Sequence, residues 1–377
     1  MSKLEELIRQ HCPDGVEWKK LGGVCDIYKG VQFNKSEMND TGTYPVINGG
    51  INPSGYIEVF NEQENTITIS QGGASAGYVN FLQTKFWLGA HCYAVKPSEK
   101  VLNRYLYHFV KQNEKTLQQC QYGAGIPALA KNTIANLQIP VPPLPVQEEI
   151  VRILDNFTEL QAELQAELQK RKLQYEYYRD KLLNFNEIGG GSEVEWKKLG
   201  EVAIYVKSRI DSTLITVGNY VSVENLLQNR QGKINATNVP AGALIHYKKE
   251  DILVGNIRPY LKKIWLADRD GGTNGDVLTI RLSTKSIIPR FLYHCLASDS
   301  FFQYDMNFAK GAKMPRGDKD AVLNYIIPIP PLSEQQRIVD ILDRFDALCN
   351  DLTSGLPAEI EMRRKQYEHY RDRLLSF

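Results

Sequence analysis

Glu17-Trp18-Lys19-Lys20-Leu21-Gly22 returns 178 residues later as Glu195-Trp196-Lys197-Lys198-Leu199-Gly200. It is the first of five repeated words. Tyr105-Leu106-Tyr107-His108 returns as Phe291-Leu292-Tyr293-His294. Ile139-Pro140-Val141-Pro142-Pro143-Leu144 returns as Ile327-Pro328-Ile329-Pro330-Pro331-Leu332. Ile150-Val151-Arg152-Ile153-Leu154-Asp155 returns as Ile338-Val339-Asp340-Ile341-Leu342-Asp343. Tyr178-Arg179-Asp180-Lys181-Leu182-Leu183-Asn184-Phe185 closes the first copy, and Tyr370-Arg371-Asp372-Arg373-Leu374-Leu375-Ser376-Phe377 closes the second. Five words in one order exclude coincidence and mark a duplicated unit. The offset grows from 178 to 192 residues, so the second copy holds small insertions.

Between the repeated words the copies diverge. Residues 27–100 and 204–285 show no comparable match, so each copy reads as a shared frame with a private insert. Both inserts mix β-branched runs with turn residues. Thr66-Ile67-Thr68-Ile69-Ser70 alternates like a strand before the glycine loop Gln71–Gly77, and Asp251-Ile252-Leu253-Val254-Gly255 is a strand entering a loop at Asn256. The expected fold is α+β: two mixed domains separated by two long antiparallel coiled-coil helices, with pseudo-twofold symmetry.

Each Pro-Pro-Leu starts a helix, where a missing N–H does little harm. In the first copy, positions 154, 157, 161, 164, 168, 171, 175, 178, 182 and 185 are spaced alternately three and four, as in a heptad, and Leu154, Phe157, Leu164, Leu168, Tyr175, Tyr178 and Leu182 form the packing seam. From about Val146 to Phe185 it spans roughly 60 Å at 1.5 Å per residue. The second seam runs through Leu342, Phe345, Leu352, Tyr367, Tyr370 and Leu374. It carries one extra four-residue step, and Thr353-Ser354-Gly355-Leu356-Pro357 is expected to break the helix. Two seams in one chain favour an internal antiparallel pair; pairing between chains is the alternative. The boundaries read 1–145 and 188–332 for the two domains, 146–187 for the central helix and 333–377 for the C-terminal one.

The bulk numbers bound the function. The chain has 377 residues, a net charge of +1, 42% apolar and 24% charged residues, as in an ordinary globular protein. Near-neutral charge does not by itself point to nucleic acid. The start, Met1-Ser2-Lys3-Leu4-Glu5, leads into no apolar segment, and no run of 18 apolar residues occurs. Six cysteines at irregular spacing form no Cys-x-x-Cys pair. These signs predict a cytoplasmic protein with reduced thiols, no membrane span and no metal site.

Catalytic patterns are weak. Pro13-Asp14 with Glu17-Trp18-Lys19 carries the letters of a metal-dependent nuclease, but the carboxylates are nearly adjacent and the second copy lacks the Pro-Asp. The loop 71–77 has no Lys-Ser/Thr for a nucleotide, and His91-Cys92 has no third partner. No catalytic residue is expected.

Polar loop residues are better suited to reading base edges, because Arg matches guanine and Asn or Gln matches adenine. Asn48 and Gln71 are the candidates in the first insert, and Asn256, Arg258, Lys262 and Lys263 in the second. Lys310, Lys313 and Arg316 form a basic run suited to phosphate. Solvated loops and turn chemistry are the alternative for each.

Two variable inserts alternating with two heptad helices resemble the specificity subunit of type I restriction-modification systems. The resemblance rests on Ile139–Leu144 with Ile150–Asp155, and on Leu352–Ile360 with Arg364–Arg371, and covers the whole chain. Leu160-Gln161-Ala162-Glu163 followed by Leu164-Gln165-Ala166-Glu167 resembles the short repeats that lengthen the spacer in some members. It implies two target recognition domains, each reading half of a split site in double-stranded DNA. It also implies helices that dock two methyltransferase subunits, with up to two restriction subunits joining them. S-adenosylmethionine, ATP and Mg²⁺ would be bound by those partners, and this chain holds no cofactor. A DNA-binding scaffold without a methyltransferase, or a coiled-coil adaptor, are the competing readings.

Overall fold

The computed structural model describes residues 3–123, 125, 127–185, 194–351 and 353–377. They fall into two compact units, Met1–Leu164 with Ile360–Phe377, and Gln165–Glu359. The forty-residue central helix Leu144–Leu183 contributes to both. Among the described residues no helix is long and apolar enough to cross a membrane.

The repeated words turn out to be each other's partners. Trp18–Lys20 pairs antiparallel with Gln138–Pro140, so Trp18 sits opposite Pro140. Glu195–Lys198 pairs the same way with Ile326–Ile329, so Trp196 sits opposite Pro328. The glycine that ends the first word is needed for close approach. A side chain on Gly22 would press on Ala135 Cβ at 2.9 Å, and one on Gly200 on Leu323 Cβ at 3.3 Å.

The inserts share a topology that their sequences hide. In the first unit a four-stranded antiparallel sheet has the order Cys25–Lys29, Cys92–Pro97, Thr66–Ser70, Val79–Leu82. In the second unit the order Ala203–Tyr205, Val277–Leu282, Ile252–Gly255, Ile264–Leu266 reproduces it. A second sheet in each, of three strands in the first unit and four in the second, holds one parallel pair, Tyr44–Ile47 with Trp87–Leu88, and Tyr220–Val221 with Gly271–Thr273. The two inserts, expected only to be mixed domains without matching sequence, therefore share one core topology. The difference is where the second sheet grows. Tyr56–Ile57 extends it from Tyr44–Ile47 in the first unit. In the second, Ala243–Tyr247 and Arg209–Asp211 extend it from Gly271–Thr273. A strand needs only alternation and β-branching, so the topology survives without matching residues.

The helices are tied to the sheets by a buried polar set present twice. Gln147 is wholly buried; its Nε2 donates to Lys100 O (2.9 Å) and Pro142 O (2.7 Å), and its Oε1 accepts from Leu102 N (2.8 Å). Gln335 repeats this with Ser286 O, Pro330 O and Ile288 N at 2.8–2.9 Å. His108 Nε2 lies 2.8 Å from Asp155, which also holds Arg104. His294 Nε2 lies 2.8 Å from Asp343, which holds Arg290. Burial keeps both imidazoles below their ordinary pKa. A His-Asp pair repeated at equivalent places, locking helix to helix, is architecture.

The helix seams pack within each unit. In the first, Leu154 is wholly buried, Phe157 stacks on Tyr370 at 5.2 Å, and Tyr367 donates to or accepts from His108 Nδ1 at 2.8 Å. Ile153, a turn back from Phe157, shares a groove with Leu374, a turn on from Tyr370, so the pair is antiparallel. Leu164 is half-buried. In the second, Tyr175 and Tyr178 stack on Phe345 at 6.1 and 5.6 Å, and Leu168, Leu182 and Leu342 pack into the same core. Lys172, a turn back, faces Asn350, again antiparallel. Leu352 lies outside the described residues. The helix Leu332–Asn350 stops before Gly355, where a side chain would meet Ala347 O at 2.5 Å, and a new helix runs Leu356–Leu374.

Candidate nucleic-acid interface

Two loops that are far apart in sequence close on each other in the second unit. The strand Ile252–Gly255 leads into Asn256, Ile257 and Arg258, then a tight turn at Pro259–Leu261. Arg258 (φ +54°) and Lys262 (φ +51°) flank this turn in the left-handed region, which branched-at-Cβ chains avoid and few non-glycine residues adopt. The second loop is the basic run. Lys310 and Arg316 exchange both backbone hydrogen bonds at 2.9 Å, closing a small hairpin. Arg258 N donates to Pro315 O (2.7 Å), and Gly317 N donates to Asn256 O (3.1 Å). A groove of about 410 Å³ beside the junction is lined by Tyr220, Ser222, Asn238, Arg258, Asn274 and Met314.

The charges here are not equally available. Arg258 and Lys313 are exposed and have no side-chain bond to another described residue. Arg316 is exposed but paired to Asp276 at 3.1 Å, and Lys310 is paired to Asp318 at 2.7 Å, which raises its ammonium pKa. Lys262 is held by Asp299 at 2.9 Å. Lys263 Nζ donates to Val223 O at 2.6 Å, and burial lowers its pKa. Asn256 is 5% exposed with its side-chain oxygen turned inward, so it supports the loop from inside and presents no edge to a base. A polar residue in a loop pattern reads as surface, and that reading misplaces it.

The first unit has the same junction with different side chains. Gly73 N donates to Pro127 O (2.9 Å), and Tyr122 and Ala128 exchange backbone bonds at 2.9 Å. Gly72 bridges Ala128 as Ile257 bridges Arg316. Gly73 has φ +78°, matching Arg258. Asn48 and Gln71 both lie at this junction, half-buried. Asn48 Oδ1 accepts from His91 N (3.1 Å), and Gln71 N donates to His91 O (2.9 Å). The signal for this twin was present as Gly-Ala-x-x-Pro at 123–127 and again at 311–315. Positions equivalent to Arg258, Lys310 and Arg316 are Gly73, Tyr122 and Ala128, so one junction is basic and the other neutral.

Comparison with known proteins agrees with this duplicated design. The model of the type I restriction modification DNA specificity domain matches residues 13–171 and again 191–362. The chain is 30% identical over its full length to the EcoR124I/EcoR124II specificity subunit of Escherichia coli, covering 97% of that protein. It is 32% identical over 96% of its length to a putative type I specificity subunit of Haemophilus influenzae, covering 96% of it. In fold it is similar to the type I S subunit from M. genitalium, with a TM-score of 0.62 at 17% identity over 97% of both chains. Two family-model matches, one on each repeat, and full-length relatives place this chain in the family of type I restriction-modification DNA specificity subunits.

Proposed function

We propose that this chain supplies the DNA sequence specificity of a type I complex in the cytoplasm and performs no catalysis itself. Residues 1–145 and 188–332 each carry a target recognition domain for one half of an asymmetric, interrupted site in double-stranded DNA. The helices of 146–187 and 333–377 set the gap and dock two methyltransferase subunits, which up to two restriction subunits join. Those partners bind S-adenosylmethionine, ATP and Mg²⁺. The observation that carries this reading is the twin junction: one backbone device, built twice, bearing Arg258 and Arg316 in one copy and Gly73 and Ala128 in the other. A shared frame with different side chains suits two different half-sites.

Within the second domain Arg258 is the proposed base reader, with Lys310, Lys313 and Arg316 on phosphates and Lys262 and Lys263 supporting the turn. Asn48 and Gln71 are the counterparts in the first. The test is single-molecule sequencing of methylated DNA from cells carrying the complex with Arg258→Gly. The expected result is a relaxed base in one half-site, with the other half-site and the gap unchanged. An unaltered target would remove Arg258 from the interface, and loss of specificity in both halves would defeat the assignment of one domain to one half.

A further inference from the structure

On the second unit, sharing Lys262 with the turn at Pro259–Leu261, lies a pocket of about 310 Å³ lined by four basic side chains. Lys172 and Arg179 come from the central helix, Arg230 and Lys262 from two insert loops, and Glu176 is the one carboxylate in the lining. The two loops are joined by Arg230 N donating to Lys262 O at 3.0 Å. Three residues at the rim, Asn229 (φ +53°), Arg230 (φ +64°) and Lys262 (φ +51°), sit in the left-handed region. Non-glycine residues held there are strained and cluster at ligand sites.

Arg179 is the decisive group. It is wholly buried, yet its Nε and Nη2 make no hydrogen bond. Asp180 and Asp299 each stand 3.7 Å from it, too far to satisfy either nitrogen. Asp299 is already engaged by Arg230 and by Lys262. The repeat supplies an internal control. Arg371 is the equivalent residue in the first unit, and there the adjacent Asp372 accepts from Nε (3.1 Å) and Nη2 (2.9 Å). The same Arg-Asp dipeptide is closed on itself in one copy and left open in the other. A buried guanidinium with unmet donors is expensive unless an acceptor arrives.

We infer that this pocket holds a phosphate group, with Arg179 at its floor and Arg230 and Lys262 at its sides. A tetrahedral oxyanion in the pocket accepts from Arg230 and Lys262 at its sides and neutralises the surplus charge, to which the enclosed Arg179 beneath them contributes. The phosphate can be a phosphodiester of bound DNA, in which case the site rests on the proposed function, or a free phosphate.

The test uses the full chain, the Arg179→Gln variant and, as a rim variant that keeps the buried residue, Lys262→Gln. Thermal unfolding is followed with inorganic phosphate against chloride at constant ionic strength, and binding of a target duplex is followed across salt concentrations. For free phosphate, the transition temperature of the wild type rises with phosphate, both variants lose that rise, and DNA does not displace it. For a DNA phosphate, the slope of log K against log salt drops by about 0.9 in each variant, and inorganic phosphate competes with the duplex. A chain that binds no DNA but responds to phosphate through Arg179 overturns the specificity reading and keeps the pocket. The inference fails if phosphate acts no differently from chloride and the slope is unchanged, or if the variants respond to phosphate as the wild type does.

Discussion

Asp305 offers a measurement of how the basic loop is held. It lies on the helix Asp299–Phe308, is wholly buried, and neither carboxyl oxygen has a hydrogen bond among the described residues. A side chain on Gly317 would run into it and into Asn256, so the loop packs directly over this carboxyl. Burial first, and the nearby Asp318 second, push its pKa up from 3.8 to about 6. The folded state therefore keeps a proton that the unfolded chain releases near pH 4. The stability contributed by that proton is present below about pH 4 and is lost as pH rises through about 6. At 1.36 kcal/mol per pH unit the loss is about 3 kcal/mol at neutral pH. Asp305→Asn keeps the shape and removes the charge. The expected result is a variant up to about 3 kcal/mol more stable than wild type at pH 7.5 and equal to it at pH 4. The assay is urea unfolding across that range, with hydrogen exchange reporting on residues 299–317. Parallel pH profiles for the two proteins, or a variant less stable at pH 7.5, would refute the reasoning.

Two further outcomes test the frame. Deleting Leu164–Glu167 removes four helical residues, about 6 Å, or just under two base steps. Methylated-site mapping should show a shorter permitted gap with both half-sites intact; an unchanged gap would refute the proposal that the central helix sets it. Gln147→Ala should destabilise the first unit by about 3 kcal/mol or more, because three buried backbone groups lose their partner, and Gln335→Ala should do the same to the second. Denaturant midpoints check this, and a change under about 1 kcal/mol would mean that those groups find other partners.

Much of this design was legible in the sequence, but unevenly. The frame was readable because packing restricts it: Trp18 opposite Pro140 and Gly22 against Ala135 admit few alternatives. The seams were readable because a helix repeats its face every three or four residues, which put Phe157 on Tyr370 and Tyr175 on Phe345. The common insert sheet was not readable, since strand pairing depends on distant partners that leave no local mark. Asn256 looked like a loop residue offered to solvent, yet tertiary packing buries it under Gly317. Gln147 and Gln335 were overlooked because one amide within a helix start carries no period. Their identical offset from Pro-Pro-Leu was the available clue.

The backbone at Arg258 separates folding from reading. The junction needs a left-handed residue whose N–H meets the proline carbonyl: Gly73 fills that place in the first unit at φ +78°, Arg258 in the second at φ +54°. Glycine adopts this conformation freely, whereas an L-residue loses roughly 1–2 kcal/mol there. Arg258 makes no side-chain bond to another described residue that would offset the strain. Under the proposed function, that strain is a cost the fold bears for contact with DNA. Arg258→Gly should leave the unit as stable or about 1 kcal/mol more stable, partly offset by the entropy glycine adds to the unfolded chain. The same change should weaken discrimination at one base position by about 1–3 kcal/mol. Urea midpoints and binding to matched and mismatched duplexes measure the two effects independently. Loss of stability together with loss of discrimination would show that Arg258 belongs to the core of the junction, and the functional argument from its strained backbone would fall.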